Sequence, residues 1–473
     1  ENGHGYRYIG MAINPDSDLH VYGSGYQAFF SIFYAFLPPV TEVVLVANVL
    51  LGSLTVLFAG LFCSRQFGKT EGVFSAWSLA LLPVHIKLSA TESPFILAIF
   101  LSIVALWAIG ELRTKQSYGM ALIAGLAAGL APQSRPLMLA IPIFVFMFGC
   151  FSRSDTLSWL RERSTWLFFL TTVAVLTLHV AWMIDLHGEG GRLAGYGQFL
   201  ELGPDRVWKT MSERGLLLNP AYTPAHFLAL AAIGCALLWK QAWRVTRLLT
   251  LSFLGLAWLY GARANHYSEA LRFAAAPQVS LTFLIGPALA RSVVWLAGAS
   301  PARWYHASAA LLLLVTALFS NGAIATPTVD ALESTFLRSA YPELPQECAI
   351  IIPPARAGKG RIENAFPFYE YRAYRPGNDN FNWGLSRVDQ PMLEGLKANN
   401  PCVLYYRGLV CSTFIPEEPM TGTMRRECHS FEQSHPMRKI ASFPVHGSRL
   451  PTHLHDHPDT TFELAIFELD RAP

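Results

Sequence analysis

The sequence predicts a multi-span α-helical membrane domain followed by a small soluble α/β domain, on three observations. Ten apolar stretches run through the first 325 residues. Charged residues are scarce up to about Thr326 and ordinary after it, so that the 473-residue chain is 52% hydrophobic and only 15% charged. A soluble chain would carry about 25% charge. The loops between the apolar stretches alternate in kind: one set is short and rich in Lys and Arg, and the other holds acids, histidines and isolated arginines at the span ends.

Taken in order, residues 1–40 read as a first outer loop and an interfacial helix. Tyr22, Tyr26, Phe30 and Tyr34 stand four apart, which lines them up on one helix face suited to the bilayer interface. An eleventh span here would invert the charge count. The membrane domain, 41–325, contains spans at 41–61, 71–86, 93–110, 118–132, 136–151, 166–185, 225–239, 247–261, 272–290 and 305–325. Several fall short of the roughly 20 residues a straight crossing needs. The two flanking Pro132–Pro136 are the shortest, and read as paired or re-entrant. Because the chain opens at Glu1 without Met, the expectation is a fragment with at least one further span upstream.

Charge sets the sidedness. Arg65, Lys69, Arg113, Lys115, Arg153, Arg161, Arg163, Lys240, Arg244, Arg247, Arg291 and Arg303 fall in one set of loops. The short loops of the other set hold only Lys87, Arg135, Arg263 and Arg272. Short basic loops mark the cytoplasmic side. The N-terminal segment, the loop 186–224 and the tail 326–473 therefore face outward. The loop 186–224 reads equally as a mobile lid or a surface connector. A net charge of +3 gives no argument for nucleic acid.

The tail reads as extracytoplasmic α/β, with strand-like CAIII (348–352), CVLYYRG (402–408) and FELAIFEL (462–469) and a helix at 392–400. Four of the seven cysteines, Cys348, Cys402, Cys411 and Cys428, lie there and suit disulfides in an oxidising compartment, with the pairing open. Four unpaired thiols are the alternative. Cys63, Cys150 and Cys235 read as packing residues. His446, His453, His455 and His457 lack the spacing of zinc hydrolase signatures and read as a solvated loop. ARAGKGR (355–361) lacks Walker spacing.

Four groups on the outward face carry chemistry. The first is residues 1–20, with Glu1, Asp16 and Asp18. The second is HIKLSATES, with His85, Lys87 and Glu92. The third is Arg135, and the fourth is HYSEALRF, with His266, Glu269 and Arg272. Ionisable residues at membrane depth cost a few kcal/mol and line cavities or pair with one another. Arg135, Arg272 and Lys87 suit a phosphate at the bilayer surface, and a carboxylate of the first loop suits a general base. The plainer alternative pairs Glu269 with Arg272 and lets Lys87 snorkel to headgroups.

In their order, these segments resemble the GT-C superfamily of polytopic membrane glycosyltransferases, of the aminoarabinose-transferase and protein-mannosyltransferase type. GSGYQAFFSIFYAF resembles the family's interfacial helix, LALLPVHIKLSATES its second outer loop, GLAAGLAPQSRPLMLAIP its Gly-Leu-rich segment ending in Arg-Pro, and SEALRFAAAP its late Glu-x-Arg segment. The resemblance covers about residues 1–325. It implies transfer of a sugar from a polyprenyl-phosphate donor to a lipid, protein or glycan acceptor, with inversion, on the periplasmic side of a bacterial inner membrane. It implies Glu1 as the catalytic acid, with Asp16 and Asp18 as fallbacks, and Lys87, Arg135 and Arg272 on the donor phosphate. His85, Glu92, His266 and Glu269 support. Some members use a divalent cation, and no ligand set for one is visible. A transporter or flippase should show internal repeats and helices broken at matching positions, which this sequence does not. A non-catalytic assembly protein on the same scaffold is the third reading.

Overall fold

A computed structural model of the chain describes residues 25–37, 41–187 except 92 and 153, 225–239, 242–261 and 278–292. It further describes scattered positions between 307 and 348, then 349–352, 383–385, 388–408, 411, 419–446 and 461–470. The chain divides into two compact units, on either side of residues 324 and 325.

The first unit is helical. Its elements are α1 (Gly25–Tyr34), α2 (Thr41–Gln66), α3 (Lys69–Ala80), α4 (Pro83–Ser89), α5 (Pro94–Lys115) and α6 (Tyr118–Ser134). A 3₁₀ turn (Pro136–Leu139) leads to α7 (Ala140–Phe151), α8 (Thr156–Arg161), α9 (Arg163–His187), α10 (Ala225–Trp239), α11 (Trp243–Gly261) and α12 (278–292). Three of these are long and apolar enough to cross a membrane: α2, α5 and the 163–181 part of α9. The α3–α4 pair adds a fourth if counted as one broken span. The described parts of the other predicted spans up to 290 are helical but shorter or less apolar; 272–277 and most of 305–325 lie outside the described residues.

Local chemistry places the breaks. Pro83 starts α4 after Leu82 in an extended conformation, and the α3–α4 pair bends by 65°. The single span expected at 71–86 is therefore two helices, and His85 and Lys87 are helical residues, not loop residues. Ser93 caps α5 by accepting the Phe95 N–H at 3.3 Å, with Pro94 in the first turn, where its missing N–H costs nothing. Gln116, at φ 50°, turns the chain from α5 into α6. Arg135 precedes Pro136 and is extended, which ends α6 at Ser134.

Helix α5 is the hub. It packs on α2 and α6, and 83% of its apolar window is buried against 39% for α2 and 28% for α9. Leu50, Leu54, Leu57 and Leu61 leave an outward apolar side on α2, which suits lipid. Gly125 and Gly129 let α9 approach α6 closely. A β-carbon on Gly129 would sit 2.7 Å from Val175 Cβ, and one on Gly125 2.8 Å from the Phe168 carbonyl oxygen. Small residues four apart are a common device for close packing of membrane helices.

The aromatic stripe is corrected. Tyr26 and Phe30 are buried, their ring centroids 4.7 Å apart, and α1 packs on α6. Tyr26 and Phe30 face protein, Tyr34 is half-buried, and the exposed side of α1 is the one bearing Ile32. Tyr22 lies outside the described residues.

The second unit is a five-stranded mixed sheet with helices. Its strands are β1 (Ala349–Ile352), β2 (Trp383–Gly384), β3 (Val403–Arg407), β4 (Met437–His446) and β5 (Thr461–Leu469), in the order β2-β1-β3-β5-β4. β2, β1 and β3 are parallel, β5 is antiparallel to β3, and β4 to β5. Helices α13 (Gln390–Asn399) and α14 (Pro419–Ser434) pack on one sheet face, where Ala349, Ile351, Val403 and Tyr405 meet Leu393, Leu396 and Phe431. Ile350, Ile352, Leu404 and Tyr406 fill the other face. Period-2 alternation accounts for the split. The three predicted strands and the helix at 392–400 are present. β4 and α14 are additions: α14 lies in a polar stretch, and β4 bears Arg438, Lys439 and His446 on the sheet edge, where charge blunts pairing with another chain. His446 thus ends a strand, while His453, His455 and His457 lie outside the described residues.

The four tail cysteines form disulfides Cys348–Cys402 and Cys411–Cys428, and Cys63, Cys150 and Cys235 are free. Beside the second bridge, the Tyr405 hydroxyl donates to Glu432 Oε1 at 3.2 Å, and Arg407 pairs with the same oxygen at 3.4 Å. Burial first, and then the Glu432 charge and hydrogen bond, raise the Tyr405 pKa well above its ordinary 10.0. A raised folded value means that this stability is intact below pH 10 and is lost as pH rises through the folded value. Tyr405→Phe should cost about 1 kcal/mol at neutral pH. It should also flatten the alkaline loss of stability of this unit, read by urea unfolding at neutral pH and above pH 10. An equally steep alkaline limb in the variant would refute the assignment.

Candidate functional site

The two ends of the α2–α5–α6 group differ in chemistry. At one end, Glu111 near the end of α5 pairs with Arg65 Nε at 3.5 Å and Lys115 Nζ at 2.7 Å. There too, Arg113 pairs with Asp155 and lies 5.1 Å over the Trp159 ring. These basic residues belong to the loop set read as cytoplasmic, and their ion pairs gather them at one end.

At the other end, the start of α2, the turn between α4 and α5, the end of α6 and the start of α1 come together. Asn48 of α2 is fully buried. Its side-chain amide donates to the Tyr26 hydroxyl at 3.1 Å and to the carbonyls of Thr91 at 2.6 Å and Ser93 at 3.4 Å. Gly25 approaches the Gln133–Ser134 backbone so closely that a β-carbon would lie 2.9 Å from it. Gln133 donates to the Val175 carbonyl of α9 at 2.9 Å.

Arg135 sits in this gathering. Its backbone N–H donates to Ala131 O at 3.1 Å and its carbonyl accepts from Met138 at 2.8 Å, so the helix break holds the residue at both backbone ends. The side chain is 5% exposed, and its guanidinium lies 4.6 Å over the Phe95 ring. Such stacking uses the guanidinium face and not its in-plane N–H donors.

Of the residues singled out from sequence, three are described. Arg135 is at the junction. His85 is buried in α4 facing Gly52 of α2, where a β-carbon would be 3.8 Å from its Cε1, and its Nε2 has no hydrogen-bond partner among the described residues. Lys87 lies half-buried in the last turn of α4. Glu1, Asp16, Asp18, Glu92, His266, Glu269 and Arg272 lie outside the described residues. Among the described residues, no three His, Cys, Asp or Glu side chains gather into a metal-binding group.

Asn48 and Tyr26 were missed as a polar pair. A signal existed: Asn48 is the one amide in an uncharged run from Val43 to Ser64, and a polar group at such depth needs partners. Which partners it has depends on contacts 22 to 45 residues away in sequence.

Residues 25–182 match the family model of dolichyl-phosphate-mannose-protein mannosyltransferases. No curated protein sequence matches the chain. Among solved structures, ArnT from Cupriavidus metallidurans bound to undecaprenyl phosphate superposes with TM-score 0.59 at 12% identity, covering 99% of this chain and 93% of that one. An oligosaccharyltransferase from Archaeoglobus fulgidus, in complex with zinc and sulfate, gives 0.53 at 16% identity, covering 85% of this chain and 63% of that one. The Archaeoglobus fulgidus oligosaccharyltransferase AglB, with an inhibitory peptide and a dolichol-phosphate, gives 0.51 at 13% identity, covering 92% and 68%. In sequence over residues 25–182, and in fold over nearly its whole length, the chain is similar to the GT-C polytopic membrane glycosyltransferases.

Proposed function

We propose that this integral membrane protein transfers a sugar from a polyprenyl-phosphate donor to an acceptor hydroxyl at the outer face of the membrane, with inversion. The observation that carries the reading is Arg135, buried at a helix break over Phe95, at the end of the helix group opposite the basic ion pairs. The polyprenyl phosphates bound to the ArnT and AglB structures of similar fold support the donor class.

In this reading Arg135, with Lys87 and Arg272, neutralises the departing lipid phosphate. A first-loop acid, Glu1 or else Asp16 or Asp18, takes the proton from the acceptor as it attacks. His85, Glu92, His266 and Glu269 support these groups. In the same reading the tail lies on the outward side, the periplasm of a bacterial inner membrane, as the alternation of basic and non-basic loops supports. The acceptor is a lipid, protein or glycan hydroxyl.

The test is transfer by the full chain in lipid nanodiscs, with a radiolabelled polyprenyl-phosphate sugar offered against the matching nucleotide sugar. Label should leave the lipid donor and not the nucleotide. Translocation of the lipid across vesicles without transfer would favour a flippase. Neither activity, with no binding of the lipid phosphate, would leave the assembly role.

A further inference from the structure

We propose that Asn48 is the positioning residue of the donor-phosphate site, holding in place the two sides of the cradle in which Arg135 lies. The inference rests on Arg135 being the arginine that meets the lipid phosphate.

One side of that cradle is α1. Tyr26 accepts a hydrogen bond from Asn48, and its neighbour Gly25 abuts the Gln133–Ser134 backbone immediately before Arg135. The other side is the start of α5. Asn48 holds the carbonyls of Thr91 and Ser93, and Ser93 in turn caps the helix whose Phe95 carries the Arg135 guanidinium. The Asn48 links run from 2.6 to 3.4 Å, and among the described hydrogen bonds Asn48 is the one side chain that reaches both sides. An amide suits the task because its two N–H groups donate to several acceptors from one fixed plane. Leucine has the same number of side-chain heavy atoms, branches at the same carbon, and donates nothing. Neither His85 nor Lys87 has such a link to Arg135 among the described hydrogen bonds.

A site held loosely by its supporting contacts loses function steeply with displacement. In the full chain in nanodiscs, Asn48→Leu should therefore raise the Kd for a sugar-free polyprenyl phosphate about tenfold. It should raise the donor KM in proportion and leave the acceptor KM unchanged. Tyr26→Phe, which removes one of the three links, should raise Kd by about threefold, and the double variant should not exceed Asn48→Leu alone by that further factor. Tyr26→Phe also keeps the test alive if Asn48→Leu does not fold. Thr55→Val is the control. Thr55 is equally buried, two turns along the same helix, and among the described residues its hydroxyl bonds only to the Leu51 carbonyl of its own helix, at 2.6 Å. It should lower thermal stability without changing Kd.

Wild-type binding with unchanged Kd in Asn48→Leu and Tyr26→Phe overturns the Asn48 role alone. A Kd raised as much by Thr55→Val as by Asn48→Leu does the same, since the effect would then be general loosening. Absence of binding by the wild-type chain overturns the transferase reading itself.

Discussion

Arg135→Ala should lower kcat/KM for the polyprenyl-phosphate donor by about 10²- to 10³-fold, the scale seen when one preorganised donor to a developing anion is removed. Arg135→Lys should recover only part of this. It keeps the charge but loses the planar fork that meets phosphate bidentately and the flat face that stacks on Phe95. Phe95→Leu should cost less, about fivefold, because it removes a cation–π contact worth roughly 1 kcal/mol and leaves the guanidinium in place. The ordering Ala, Lys, Leu distinguishes a phosphate-binding role from a packing role, in which Phe95→Leu and Arg135→Lys would be equivalent. The measurement is initial rate against donor concentration for each full-length variant. Wild-type rates in Arg135→Ala would remove Arg135 from the chemistry.

The second large effect concerns the sheet unit. Replacing Cys348 and Cys402 together by serine should destabilise that unit by about 4 kcal/mol, because the bridge closes a loop of sequence separation 54 in the unfolded chain. The bridge joins positions at the entry to β1 and β3, the two adjacent parallel strands. Parallel pairing brings together residues far apart in sequence, so its closure entropy is high and a covalent tie there is worth most. Loss of Cys411–Cys428, with a separation of 17, should cost about 3 kcal/mol. Urea unfolding of the full chain, followed by cleavage of the tail with a protease, reads both. Equal midpoints for the oxidised and serine forms would refute the estimate.

Much of the fold was legible in order. Continuous apolar runs located the helices, while the break before Pro83 that divides 71–86 into α3 and α4 was not read from them. Buried parallel strands such as β1 were legible as short β-branched runs. β4 and α14 were not. An edge strand bearing Arg438 and Lys439, and a polar helix held by one side, carry a weak periodic signal.

The site divides in the same way. Arg135 is marked by its own neighbours, since an arginine before proline, between two apolar segments, is placed at a helix end whatever surrounds it. The segregation of basic loops from loops with acids and histidines is likewise a property of the sequence, since lipid sorts charge without reference to tertiary contacts. The burial of the Tyr26–Phe30 stripe, the pairing of the cysteines and the three links from Asn48 were decided only by the tertiary structure. The cysteine pairs and the Asn48 links join groups 17 to 54 residues apart across packed elements, and the stripe lies on a helix that packs on α6. A hydrogen bond or a stacking contact selects its partner by position in space, and no local propensity encodes that position.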